Sequence, residues 1–319
     1  MLFAITLSKG IINVHQELEQ IVVEVNKVVN GKDGVIRKAL AAILAGGHVL
    51  LEDIPGVGKT TLAMALGKAM ELSCKRMQFT PDVLPSDIVG FTMYNSATGE
   101  FAYKKGAVFC NLFLADELNR TSSKTQAALL EVMEEAKVTV DGVSYPLSPP
   151  FTVIATENPF GSSGTQLLPE SQLDRFLICL SMGYPSHDAA LAILKGSVGQ
   201  GVDRVESVIT VNRLMELRAQ TENLYTDDRI HEYIVNLAEE TRKEPRIALG
   251  VSPRGSIALL KMARAMAMMR GGDYVVPEDV LSVIDDVWKH RIRLNAHARA
   301  EGLDVSDMIM RITERIHAV

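Results

Sequence analysis

Cysteine is scarce: Cys74, Cys110 and Cys179 are the three in 319 residues, and no C-x-x-C pair occurs. Each falls in an apolar, strand-like stretch, which argues against a disulfide framework or a zinc ligand set and fits buried thiols in a reducing compartment. Long apolar runs are also missing. Without about 18 consecutive apolar residues no membrane-spanning helix is expected, and the opening Met1 to Leu7 lacks the basic start and cleavage site of an export signal. The expectation is a cytoplasmic chain. Excess positive charge is absent too, since 33 Lys and Arg against 39 Asp and Glu leave a net charge of −6. That balance gives no general pull toward a phosphate backbone and argues against a nucleic-acid partner. The local run Lys289, His290, Arg291, Arg293, His297 and Arg299 reads as a solvated helix face. No low-complexity tract and no fixed-period repeat is present.

What is present is a globular composition, 47% hydrophobic and 23% charged, in a chain long enough for two domains. Leu18, Ile21, Val22, Val25, Val28 and Val29 recur at helical spacing, and a second helical pattern from Val35 to Leu44 stops at Gly46-Gly47. Short apolar runs then alternate with helical patterns: strands at 48–51, 75–79, 112–115, 152–155 and 177–180, helices at 60–72 and 125–136. This rhythm predicts a parallel sheet covered by helices, an α/β fold. Two stretches interrupt it and read as hairpins, 91–103 turning at Thr98-Gly99 and 138–147 turning at Asp141-Gly142. Gly183 to Ser186 punctuates the chain, and the pattern beyond is helical. The expected division is residues 1–184 as an α/β nucleotide-binding core and residues 185–319 as an all-α lid.

Chemistry concentrates in five segments. Asp53-Ile54-Pro55-Gly56-Val57-Gly58-Lys59-Thr60, followed by Thr61, lies between a strand and a helix as a phosphate-binding P-loop does. Free N–H groups at the helix start cradle phosphates, Lys59 reaches the outer ones, and Thr60 is a candidate Mg²⁺ ligand. Asp53 stands where the motif has its first glycine, so its carboxylate has to point away from the phosphates. The second segment, Asn111 to Glu117, is an apolar strand ending in two carboxylates. Asp116 suits Mg²⁺, and Glu117 suits the base that orients and deprotonates water. Third, the strand 153–157 ends beside Asn158, which can hold that water. Fourth, Arg175 precedes the last core strand, where it reads either as an arginine that in a ring could reach a neighbour's γ-phosphate or as a surface pair with Asp174 or Glu170. Fifth, Gly250 to Arg254 reads as a helix start that lets Arg254 sense phosphate across the domain gap.

Together these segments resemble the AAA+ family, and the wording is similar to MoxR-type ATPases: residues 45–52, Asp116-Glu117-Leu118-Asn119-Arg120, 124–135 and 168–176. The resemblance implies a five-stranded P-loop core with a helical lid and the hairpins as the family's insertions. It further implies a hexameric ring with ATP at subunit interfaces, and Asn158, Arg175 and Arg254 as sensor 1, arginine finger and sensor 2. The implied function is ATP hydrolysis coupled to chaperone-like remodelling of a separate protein client, commonly a von Willebrand factor A domain protein. No Asp-x-Ser-x-Ser motif of such a domain occurs in this chain. Met262, Met266, Met268 and Met269 read as a buried face of a lid helix. Two other AAA+ readings are a magnesium-chelatase-like subunit and a nucleic-acid motor. A small-molecule kinase on the same P-loop belongs to another class, and Glu117 and the trans-acting arginine candidate argue against it.

Overall fold

The computed structural model describes residues 2–54, 56–97, 99–158, 168–194 and 201–317. Two helices, α1 (Leu2–Asn26) and α2 (Asp33–Leu44), precede the first strand, β1 (Val49–Glu52). Helix α2 stops where the sequence runs out of side chains. Gly46 turns left-handed (φ +70°), its N–H bonds Ile43 O, and Gly47 N–H bonds Ala42 O. A Cβ on Gly47 would meet the Leu177 side chain at 2.2 Å, so a larger residue here would clash unless Leu177 moved.

After β1 come α3 (Lys59–Ala69), β2 (Cys74–Gln78), α4 (Pro85–Val89), the hairpin β3 (Gly90–Asn95) and β4 (Glu100–Lys105), β5 (Leu112–Asp116), and α5 (Ser123–Glu135). A second hairpin, β6 (Lys137–Val140) and β7 (Val143–Pro146), leads to β8 (Thr152–Glu157), α6 (Glu170–Leu173) and β9 (Ile178–Leu180). Five parallel strands form one sheet in the order β2-β5-β8-β1-β9. Its central strands are buried on both faces, which is why they read as unbroken apolar runs. Alternate residues serve opposite sides. Val49, Leu51, Leu112, Leu114, Ile154 and Ile178 join the apolar layer under α1, α2 and α3. Leu50, Phe113, Ala115, Val153, Ala155 and Cys179 join the layer containing α5. The β6–β7 turn has Asp141 at φ 51° and Gly142 at φ 77°, the paired positive angles that suit a tight hairpin. In the β3–β4 turn Gly99 is at φ 73°, while Thr98 lies outside the described residues. The imidazole of His48 is buried between strands: Nδ1 accepts from Val153 N (2.9 Å) and Nε2 donates to Met133 O (3.0 Å). Burial drives its pKa down to about 4, so it is a neutral structural bridge.

The C-terminal part contains α7 (His187–Leu194), α8 (Val211–Glu222), α9 (Asp228–Lys243), β10 (Ile247–Leu249), α10 (Pro253–Arg270), α11 (Pro277–Leu281), α12 (Ile284–Trp288), β11 (Arg293–Leu294), α13 (Ala296–Ala300) and α14 (Val305–Arg315). It is helical except for one antiparallel ribbon, β10 with β11, which corrects the all-α expectation. Its short strands are two and three residues long, below what periodicity can register. The basic run is also corrected. Arg291 is buried and donates to Asp174 Oδ1 (2.7 Å), Phe176 O (2.5 Å) and Leu177 O (3.2 Å), so it fastens the lid to the core instead of facing solvent. Met262, Met268 and Met269 lie in the apolar interior, and Met266 packs against it.

Candidate active site

Strand β1 delivers the chain to the P-loop, and Gly58, left-handed at φ 95°, forms the N-cap of α3. Only glycine takes that angle without strain, and it leaves the first α3 N–H groups open toward the phosphate position. A cavity of about 370 Å³ opens there. Gly56, Gly58, Lys59, Thr60 and Thr61 line one side, and Asp116, Glu117 and Asn158 line the other with Arg76 and Gln78 of β2. The parallel sheet explains the convergence, because β1, β5 and β8 all end at one edge.

Lys59 is 8% exposed, and its Nζ donates to Asp53 O (2.6 Å) and Glu157 O (3.1 Å). Burial lowers its pKa, against the opposing pull of Asp53, Asp116, Glu117 and Glu157. Asp53, in the first-glycine position, turns its carboxylate from the cavity: Oδ2 accepts from Gly183 N (2.5 Å) and Ser181 Oγ (2.9 Å), and Oδ1 from Ile54 N (2.8 Å). Burial acts to raise the Asp53 pKa, but these bonds outweigh it and hold the group below the usual carboxylate range. Asp53 is not among the left-handed residues, so this position needs no glycine backbone. Ile54 and Val57 do not line the cavity, and Pro55 lies outside the described residues.

The Asp116 carboxylate and the Glu117 backbone are tied together by a residue the sequence gives no reason to single out. Thr156 Oγ1 donates to Asp116 Oδ1 (2.7 Å) and accepts from Glu117 N (2.8 Å). Asp116 Oδ2 receives Thr60 Oγ1 (3.4 Å) and the guanidinium of Arg76 (2.8 and 3.1 Å). Glu117 is itself left-handed (φ 57°, ψ 49°), and Arg120 Nη1 holds its Oε2 at 2.6 Å. Asn158 lines the cavity, and Asn119 Nδ2 donates to its backbone oxygen (3.1 Å). Thr60 and Asp116 bring hard oxygen donors within 3.4 Å of each other, a set that fits Mg²⁺.

Arg175 and Arg254 do not line this cavity. Arg175 Nη1 donates to Leu130 O (2.6 Å) and pairs with Glu134 Oε2 (3.1 Å), while Arg254 Nη2 pairs with Glu134 Oε1 (2.8 Å). Hydrogen bonding from Arg254, then the charges of both arginines, depress the Glu134 pKa. Arg254 therefore sits beside Arg175 against α5 and apart from this cavity. The α10 N-terminus, capped by Ser252 and tied to α9 through Val251 N and Thr241 Oγ1 (3.0 Å), delivers Arg254 to the end of α5. The sequence located the helix start, but not the side to which the start turns.

The family model for the "ATPase family associated with various cellular activities (AAA)" matches residues 48–178, and an AAA lid domain model matches 239–312. The chaperone MoxR1 of Mycobacterium tuberculosis is 36% identical over 94% of this chain and 81% of its own length. The chain belongs to the MoxR family of AAA+ ATPases. An uncharacterised relative, YeaC of Bacillus subtilis, is 46% identical over 95% of both chains. A crystal structure described as a "putative ATPase" from Cytophaga hutchinsonii superposes with a TM-score of 0.91 at 36% identity, covering 100% of each chain. The fold is therefore a MoxR-type AAA+ core with a helical lid, and the chain is an ATPase.

Proposed function

We propose that this MoxR-type ATPase works as a ring, hexameric as its resemblance implies, in which ATP with Mg²⁺ occupies the P-loop cavity and a neighbouring subunit completes it. Lys59 and the open N–H groups of α3 bind the phosphates, and Thr60 with Asp116 holds the metal. Glu117 takes the proton from a water that Asn158 helps orient, and Asp53 through Thr61 forms the loop around the phosphates. Arg175 supplies the trans charge. What carries this reading is that Lys59, Thr60, Asp116, Glu117 and Asn158 share one cavity while Arg175 sits apart with Glu134. Arg254 shares that carboxylate, so the pair presents two guanidinium groups at one place for a neighbour's nucleotide.

The work done with this energy is chaperone-like remodelling of a separate client protein, the activity named for the MoxR1 relative. A von Willebrand factor A domain protein is the partner type the resemblance implies. The cytoplasm is the proposed location, supported by three free thiols. Mixed rings test the proposal. Arg175→Ala should bind ATP nearly normally and lose roughly 10³-fold or more in rate. Combining it with Glu117→Gln creates interfaces that pair an intact Glu117 with an intact Arg175, and activity partly returns. No recovery in demonstrably mixed rings, or full hydrolysis by a monomer, refutes the trans mechanism.

A further inference from the structure

Arg76 has no place in the motif reading, yet it makes the closest charged contact with the metal-side carboxylate. It stands on β2 two residues before Gln78, whose Cα partner across to β5 is Asp116, so Arg76 and Gln78 share the face that the cavity exposes. Its Nε (3.1 Å) and Nη2 (2.8 Å) both donate to Asp116 Oδ2, and Nη2 also donates to Gln78 Oε1 (3.1 Å). Oδ2 is the same oxygen that Thr60 Oγ1 approaches. The other oxygen, Oδ1, is taken by Thr156. Asp116 thus has one oxygen facing the cavity, and a guanidinium covers it.

We propose that Arg76 is a positioning residue that occupies the metal's place on Asp116 Oδ2 in the nucleotide-free chain and yields it to Mg²⁺ when nucleotide binds. This rests on Thr60 and Asp116 being the magnesium pair. The physical argument is competition: two cations cannot share one oxygen at hydrogen-bond distance without strong mutual repulsion. While the site waits, Arg76 neutralises a nearly buried carboxylate and keeps its rotamer aimed at Thr60. On loading, Mg²⁺ displaces the half-exposed guanidinium, which loses little because water solvates it readily. Arg76 therefore competes with Mg²⁺ for Asp116 Oδ2 and raises the Mg²⁺ concentration that binding requires.

The test measures equilibrium binding of a fluorescent ATP analogue in a Glu117→Gln background, titrated with Mg²⁺, beside thermal melting without nucleotide. Arg76→Gln is expected to lower the half-saturating Mg²⁺ concentration roughly fivefold. It should also lower the nucleotide-free melting temperature by about 2 °C, a gap that closes with saturating Mg²⁺ and ATP. Arg76→Lys, which keeps the charge but not the fork, falls between the two. An unchanged or increased Mg²⁺ requirement in Arg76→Gln overturns the proposal, and an increase accompanied by lost nucleotide affinity makes Arg76 a phosphate ligand instead. Asp116→Asn separates this from the underlying reading. If its binding keeps the wild-type Mg²⁺ dependence, the magnesium pair and the inference fall together, whereas if that dependence vanishes and Arg76→Gln shows no shift, only the inference falls.

Discussion

Glu117 is held from three directions. Its backbone occupies the left-handed region, its N–H is fixed by Thr156, and its carboxylate is gripped by Arg120 one turn later. A non-glycine residue accepts that backbone only when its surroundings determine it, which is common where a side chain must be aimed. The grip of Arg120 then sets the direction of the carboxylate. Arg120→Ala is expected to lower kcat about 10- to 100-fold, as misplacement of a reacting group does. ATP affinity should stay within roughly twofold, since Arg120 does not line the phosphate cavity. Steady-state hydrolysis compared with equilibrium ATP binding checks this split. Equal losses in both would assign Arg120 to nucleotide binding.

Strand β8 shows how one element carries several tasks in sequence. Thr156 braces the Asp116 carboxylate and the Glu117 backbone, Asn158 lines the cavity, and Glu157 between them points to the opposite side of the sheet. There it meets Glu52, its register partner on β1, and its Oε1 is buried without a hydrogen-bond partner among the described residues. Burial, reinforced by Glu52 and opposed by Lys59, raises the Glu157 pKa to about 7. A raised acid favours folding most at low pH, and that contribution is lost as pH climbs from the ordinary carboxylate value through about 7. Glu157→Gln should therefore melt above wild type at pH 8, by up to about 3 kcal/mol of stability, and show little gain at pH 5. Thermal melts across that range decide it. The strand's existence was legible because Val153, Ile154 and Ala155 make an apolar run, and the P-loop and Asp116-Glu117 were legible because their spacing is set by local geometry. Arg76, Thr156 and Glu134 were not. Their roles come from cross-strand register and from which way a helix end turns, neither of which has a local signature.

At the scale of the molecule, Arg291 is the fastener between lid and core. It reaches both sides of Arg175 in the chain, bonding Asp174 on one side and Phe176 and Leu177 on the other. Removing one member of such a buried, fully bonded pair costs about 3–5 kcal/mol, and the partial exposure of Asp174 favours the lower end. Arg291→Ala should therefore lose roughly 3 kcal/mol in denaturant unfolding. It should also slow hydrolysis in assembled rings, because the turn that carries Arg175 is no longer fixed. Unchanged hydrolysis beside the stability loss would separate the fastener from the finger.

Helices α1 and α2 bear on both parts of the chain: α1 packs on α3 of the core and on α10 of the lid, and α2 packs on α10 and β9. One apolar cluster runs without a break from Leu18 and Ile43 through Leu62 to Leu259 and Trp288. Past residue 184 the elements are almost all helical, but no seam in the apolar interior follows that change. Calorimetry should therefore show a single endotherm whose van't Hoff and calorimetric enthalpies agree, with lid and core melting as one cooperative unit. Two resolved transitions would mean that the continuous cluster is too weak to couple them.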